Sequence, residues 1–325
     1  ERHNMSMKPE QAAGFQKVFD KLVGNVEQVL LGKNRTVRLA FTAMLSGGHL
    51  LLEDYPGTGK TSLARAMAQS VQGSHSRIQF TPDLLPGDIT GVSIFDQKKG
   101  AFEFHKGPIF SNIVLADEIN RASPKTQSAL LEVMEEHHVT VDGVTHPTGE
   151  PFMVIATQNP IEQAGTYRLP EAQLDRFLMK ASLGYPDHAS TMLILEGSAK
   201  KQAAELDGVV PAEMVVKLIE LAKSVHVDPE INDYVSRIVE ATRFAPEVRL
   251  GASVRGALAL IRASRVHAAS LGRHFVIPDD VKALADSVLS HRLVLDPEAE
   301  FDGVTANNVV GKILIDLPVG APAAS

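Results

Sequence analysis

Two glycines, a lysine and two threonines stand close together in Gly57-Thr58-Gly59-Lys60-Thr61-Ser62, three residues after the apolar run L-L-L-E. Glycines at this spacing let backbone N–H groups turn inward around phosphate oxygens. A helix that starts at Lys60 points its positive end at the same place. Lys60 suits β and γ phosphates, and the Thr61 hydroxyl suits Mg2+. Strand, glycine loop, helix is the context in which such a motif has meaning. Six residues before Lys60 the general pattern has a glycine, and this chain has Asp54. A carboxylate beside a triphosphate is unfavourable, so Asp54 is expected to point away.

Two further stretches carry matching chemistry. N-I-V-L-A-D-E, residues 112–118, runs four apolar residues into two carboxylates. Asp117 suits the metal, directly or through water, and Glu118 suits activation of an attacking water. P-F-M-V-I-A-T-Q-N-P reads as a buried strand ending at Asn159, a polar neutral group able to hold that water in line. The competing reading of Asp117-Glu118 is a helix start that favours acids; the upstream glycine loop outweighs it. His137-His138 has no matching metal-ligand spacing and reads as a solvated helix end. Glu135-Glu136 and Lys98-Lys99 read as solvated charges.

These residues need elements to hold them. Phe15, Val18, Leu22, Val26, Val29 and Leu30 repeat at helical spacing, and a second helix runs to about Ser46. Strands are expected at His49–Glu53, Arg77–Thr81, 112–118, 151–159 and 178–184. A helix follows Ser123-Pro124, an N-cap and a first-turn proline. Residues 82–107 are punctuated by Gly and Pro and read as an insertion. Residues 138–150 read as a hairpin turning at Asp142-Gly143. Alternating strands and helices over residues 1–185 predict a mostly parallel sheet covered on both faces. Ligands in such sheets sit at the C-terminal strand ends, where the glycine loop, Asp117-Glu118 and Asn159 all fall. From 186 to 318 the long segments are helical, and 319–325 is a Pro/Ala-rich tail.

The 325 residues carry a net charge of −7 and no cysteine. Disulfides and thiolate chemistry are excluded, and the acidic balance gives no footprint for bulk nucleic-acid binding. No apolar run is long enough to span a bilayer. The first residues, E-R-H-N-M-S-M, lack a secretory apolar region, so a cytoplasmic location is the expectation.

The stretch L-A-D-E-I-N-R-A-S-P-K-T-Q-S-A-L-L-E-V-M-E-E, residues 115–136, resembles the signature of the MoxR family of AAA+ ATPases. So do G-H-L-L-L-E-D-Y-P-G-T-G-K-T, F-T-P-D-L-L-P-G-D-I-T-G, A-T-Q-N-P, L-P-E-A-Q-L-D-R-F and G-A-S-V-R, in order from about Val29 to Pro318. The resemblance implies an α/β core, a P-loop five-stranded parallel sheet, followed by a smaller all-helical lid. It implies Mg-dependent ATP hydrolysis that drives chaperone-like remodelling, maturation or activation of a client protein. By position it implies Asn159 as sensor 1 and Arg255 as a sensor 2 arginine contacting phosphate in cis. Arg176 is implied as an arginine finger reaching the neighbouring subunit's nucleotide, with Arg168 as its rival and a plain ion pair to Asp175 or Glu171 as the bland reading. Leu31 and Gly32 are implied beside adenine. Residues 82–107 and 138–150 match pore-facing loops that touch substrate. The partners implied are further copies in a ring, usually a hexamer, and a separate protein with a von Willebrand A domain. The alternative is an AAA+ motor on DNA or transcription complexes, for which Gly100-Ala101-Phe102 is too short a match.

Overall fold

The computed structural model describes residues 5–54, 57–160, 165–197 and 201–320. Two helices lead in, α1 (Pro9–Glu27) and α2 (Asn34–Leu45), followed by β1 (Leu50–Glu53) and α3 (Lys60–Ser70). Then come β2 (His75–Gln79), α4 (Pro86–Thr90), and a hairpin of β3 (Gly91–Asp96) with β4 (Ala101–Lys106). The strand β5 (Ile113–Asp117) leads to α5 (Pro124–Glu136) and a second hairpin, β6 (His138–Val141) with β7 (Val144–Pro147). The core closes with β8 (Met153–Gln158), α6 (Glu171–Leu174) and β9 (Met179–Ala181).

β2, β5, β8, β1 and β9 lie side by side in that order, all parallel. Their C-terminal ends therefore share one edge. β5 is buried throughout, and β8 is buried up to its last residue, as expected of a sheet covered on both faces. Ser123 accepts the Thr126 amide and Pro124 sits in the first turn, which fixes where α5 begins.

The second half contains α7 (His188–Leu195), α8 (Ala212–Ala222), α9 (Pro229–Phe244), β10 (Val248–Leu250) and α10 (Val254–Ser270). It ends with α11 (Pro278–Leu289), β11 (Val294–Leu295), α12 (Pro297–Phe301) and α13 (Ala306–Asp316). The antiparallel pair of β10 with β11 adds to the helices expected there; strands of two or three residues are too short to show a period. The α10 helix packs on α1 and α2, so one apolar core runs from Phe15 and Phe19 into Leu260, Val281 and Leu284. Asp280, fully buried at the start of α11, ties this half together. It accepts two hydrogen bonds from Arg273 at 2.6 Å, one from His267 at 2.6 Å and one from the Ile277 amide. Residues 321–325, most of the predicted tail, lie outside the described residues, as do Tyr55 and Pro56 of the glycine loop.

Two buried histidines make the fold acid-sensitive. The Nδ1 of His49 accepts the Val154 amide, so its Nε2–H donates to the Met134 carbonyl. Burial pushes His49 down to about 4 and His291 down to about 3. Both stay neutral when folded but bind a proton near pH 6.5 when unfolded. Stability is therefore full above pH 6.5 and falls as pH drops toward 4 and 3. At pH 5 the loss is about 2 kcal/mol per histidine, relative to neutral pH. Urea unfolding at pH 7.5 and pH 5 measures it, and His49→Gln is expected to flatten the slope.

Candidate nucleotide site

The loop after β1 is built for close approach of a ligand to backbone. Gly57 and Gly59 have φ of 83° and 98°, a left-handed region that disfavours side chains. Gly59 is also the residue before α3, so Lys60, Thr61 and Ser62 form its first turn. The Lys60 Nζ lies 3.9 Å from Asp117 Oδ1. Asp117 ends β5, and two strands pair with β5: β8 carries Thr157, whose hydroxyl donates to Asp117 Oδ1 at 2.7 Å, and β2 carries Arg77, which donates to Oδ2 at 2.6 Å. Burial alone would raise the Asp117 pKa. The hydrogen bonds from Thr157 and Arg77, with the Lys60 charge, hold it below the usual carboxylate range. The ionised Asp117 carboxylate and the Thr61 hydroxyl are hard oxygen donors of the kind that fit Mg2+, and the Lys60 ammonium suits phosphate.

Glu118 takes φ of 55°, uncommon for a residue with a side chain. Its amide donates to Thr157 Oγ1, and its carboxylate stands 3.3 Å from Arg121. One buried hydroxyl thus positions both acids. Sequence reasoning missed Thr157 and Arg77. A hydroxyl inside an otherwise apolar strand must find a partner, and that was the available signal for Thr157; nothing marked Arg77. Asn159 follows β8 at the same edge. It lines a polar cavity of about 1040 Å³ with Glu53, Gln158, Arg168 and Lys180.

Asp54 is almost fully buried, and its carboxylate is engaged by the segment after β9. It accepts hydrogen bonds from Ser182 Oγ at 2.7 Å, the Leu183 amide at 2.7 Å and the Gly184 amide at 2.9 Å. Its carboxylate fastens the segment after β9. Asp54→Ala removes the acceptor of one buried and two part-buried hydrogen bonds and is expected to cost about 2 kcal/mol, read as a lower urea midpoint. Leu31 and Gly32 lie close by. Leu30 and Gly59 are near neighbours, Ser190 of α7 abuts Gly32, and Lys33 donates to the Tyr185 carbonyl at 2.9 Å. The phosphate loop, the turn at 31–33 and the start of α7 therefore converge.

The two arginines lie elsewhere. Arg176 precedes β9 and Arg255 sits in the first turn of α10, both at the edge where the strands begin. Their shared partner is Glu135: Arg176 Nε is 3.3 Å from one carboxylate oxygen, and Arg255 bonds the other. Glu135 is thus a bridge between core and α10, where a solvated charge was expected. Arg176 pairs with it and with neither Asp175 nor Glu171 among the ion pairs of the described residues. From His49 before β1 to Asp54 after it, five steps of strand span roughly 16 Å. Arg255 stands at the end of that span where the strands begin, and the glycine loop stands at the other. Arg168 lies at the opposite edge, beside Asn159.

Comparison with known proteins now decides the family. A family model for the ATPase family associated with various cellular activities matches residues 49–179, and an AAA lid domain model matches 240–313. Chaperone MoxR1 of Mycobacterium tuberculosis is 42% identical over 308 residues, 91% of this chain and 81% of that protein. The chain belongs to the MoxR family of AAA+ ATPases. "Uncharacterized protein YeaC" of Bacillus subtilis is 49% identical over 93% of this chain and 95% of its own length. A crystal structure of a "putative ATPase" from Cytophaga hutchinsonii superposes with a TM-score of 0.88 at 38% identity, covering 95% of this chain and 97% of that one. This MoxR-family protein is an ATPase with a parallel five-stranded AAA core followed by an AAA lid. Among the described residues no helix is long and apolar enough to cross a membrane.

Proposed function

We propose that this chain hydrolyses ATP with Mg2+ in a ring of copies, probing and remodelling a client protein in the manner of a chaperone. The observation that carries the reading is the contact of Lys60 with an ionised Asp117 at the strand ends. When bound, Mg2+ would offset negative charge on the phosphate oxygens, held by Thr61 and Asp117. The backbone amides of residues 57–61 and Lys60 bind the phosphates. Glu118 takes the proton of the attacking water, and Asn159 holds that water in line. Leu31 and Gly32 pack beside adenine, with α7 across from them. Arg176 serves the neighbouring subunit's nucleotide, and Arg255 serves as the sensor 2 arginine that contacts phosphate in cis. The division between core and lid falls near residue 186, and the cell compartment is the cytoplasm.

Contact with the client falls to the two hairpins. The β3–β4 hairpin exposes Val92, Ile94, Phe95 and Phe102, and Ser93 bonds Asp142 of the other hairpin at 2.8 Å. A separate protein with a von Willebrand A domain would couple the ring to its client. Phosphate release from ATP tests the chemistry: chelation of divalent metal abolishes it and Mg2+ restores it. Turnover that persists without divalent metal contradicts the reading. Affinity capture on a Glu118→Gln protein, which holds ATP, retains the client.

A further inference from the structure

The second half of the chain carries an apolar groove that shares no residue with the nucleotide site. It has a volume of about 550 Å³ and runs between the last turns of α9 and the length of α13. Ala241, Ala245, Val309, Ile313 and Leu317 form its apolar walls, and Phe244 stands on its lip, 78% exposed. An aromatic ring left in water beside an apolar groove is the usual mark of a binding surface. The rim is acidic. Glu247, Asp302 and Asp316 line it against Lys312 alone, an excess of two negative charges. None of the four is in an ion pair among the described residues. α12 continues the same sign, with exposed Glu298 and Glu300 beside Phe301, which is 92% exposed.

This charge sorts the occupants. Anionic lipid and nucleic acid are repelled. A second copy fits poorly: the chain carries −7 overall, and its own exposed apolar stretch, residues 192–195 of α7, stands between Asp187 and Glu196. The chain's own end is held outside the groove. Arg237, one turn before Ala241 on α9, donates to the Pro318 carbonyl at 2.7 Å and the Val319 carbonyl at 2.9 Å. Residues 321–325, A-P-A-A-S, bring neither a charged nor a large apolar side chain. What fits is the reverse of the rim, an apolar face between basic residues. Two neighbouring helices offer a third one a groove for such a face. We propose that the groove between α9 and α13 binds a basic amphipathic helix of a separate protein. Its apolar face lies on Phe244, Ile313 and Leu317, and its lysines or arginines stand opposite Glu247, Asp302 and Asp316. The site depends neither on ring formation nor on ATP turnover.

The test uses the full chain and a fluorescent synthetic helix of about four turns, with leucine at positions i, i+3, i+4 and i+7 and lysine elsewhere. One control peptide has glutamate in place of lysine; the other has the same composition with leucine at every second position. Saturable binding with a Kd of roughly micromolar order is expected for the leucine–lysine helix alone. Phe244→Ser weakens it about tenfold. Asp302→Lys and Asp316→Lys each weaken it about threefold, and Lys312→Glu tightens it by about the same factor. All four side chains are exposed, so the unfolding temperature stays where it was. No saturable binding, equal binding of either control peptide, or an affinity unmoved by the four substitutions overturns the proposal. A leucine–lysine helix that separates assembled copies as it fills the groove assigns the groove to another copy and overturns the separate partner.

Discussion

Glu118→Gln is expected to bind ATP with near-normal affinity and to turn it over about a hundred- to ten-thousandfold more slowly, the usual contribution of a general base. The two effects separate because the residue does not hold the phosphates. The amides of residues 57–61 and Lys60 do that, and glutamine occupies nearly the same volume as glutamate. The Glu118 amide still donates to Thr157 after the substitution, so the geometry around Asp117 persists. Equilibrium binding of a fluorescent ATP analogue and steady-state phosphate release measure the two quantities on one preparation. Unchanged turnover would remove Glu118 from the role of water-activating group.

Arg176→Ala is expected to lower kcat about a thousandfold or more, the scale of an arginine finger, while barely moving the unfolding midpoint. Magnitudes make this contrast sharp. The Arg176–Glu135 pair is partly exposed, and such pairs contribute about 1 kcal/mol or less. Glu135 also keeps Arg255 as partner when Arg176 is gone. A purely structural Arg176 would therefore cost little in either measurement. Arg168→Ala is the matched comparison, because Arg168 lines the cavity beside Asn159. A large loss there, with Arg176→Ala near wild type, would transfer the finger to Arg168.

The convergence of glycine loop, acids and asparagine was legible because parallel strands bring all their C-terminal ends to one edge. Each stretch ended an apolar run, and that placed it without any knowledge of its neighbours. The rest depended on partners distant in sequence. Asp54 meets Ser182 across 128 positions, so no local pattern could say which way it points. Glu135 looked like one of two solvated acids at a helix end, and its partner Arg255 lies 120 positions on. Helical spacing correctly marked α10, but the docking of that helix on α1 and α2 decides where Arg255 stands. Docking is a property of the packed core as a whole. Arg77 illustrates the same limit: a cation on a half-exposed strand is ordinary until the strand order places β2 beside β5.

The central claim is that each nucleotide is served by two copies of the chain, one supplying Lys60, Thr61, Asp117 and Glu118, the other supplying Arg176. Lys60→Ala and Arg176→Ala proteins are each expected to be inactive alone. Mixed in varying ratio and allowed to assemble, they place an intact phosphate loop beside an intact arginine at some interfaces. Phosphate release from the mixture is predicted to rise above either parent and to peak at intermediate ratios. A mixture that forms joint rings and stays as inactive as its parents at every ratio would contradict the account.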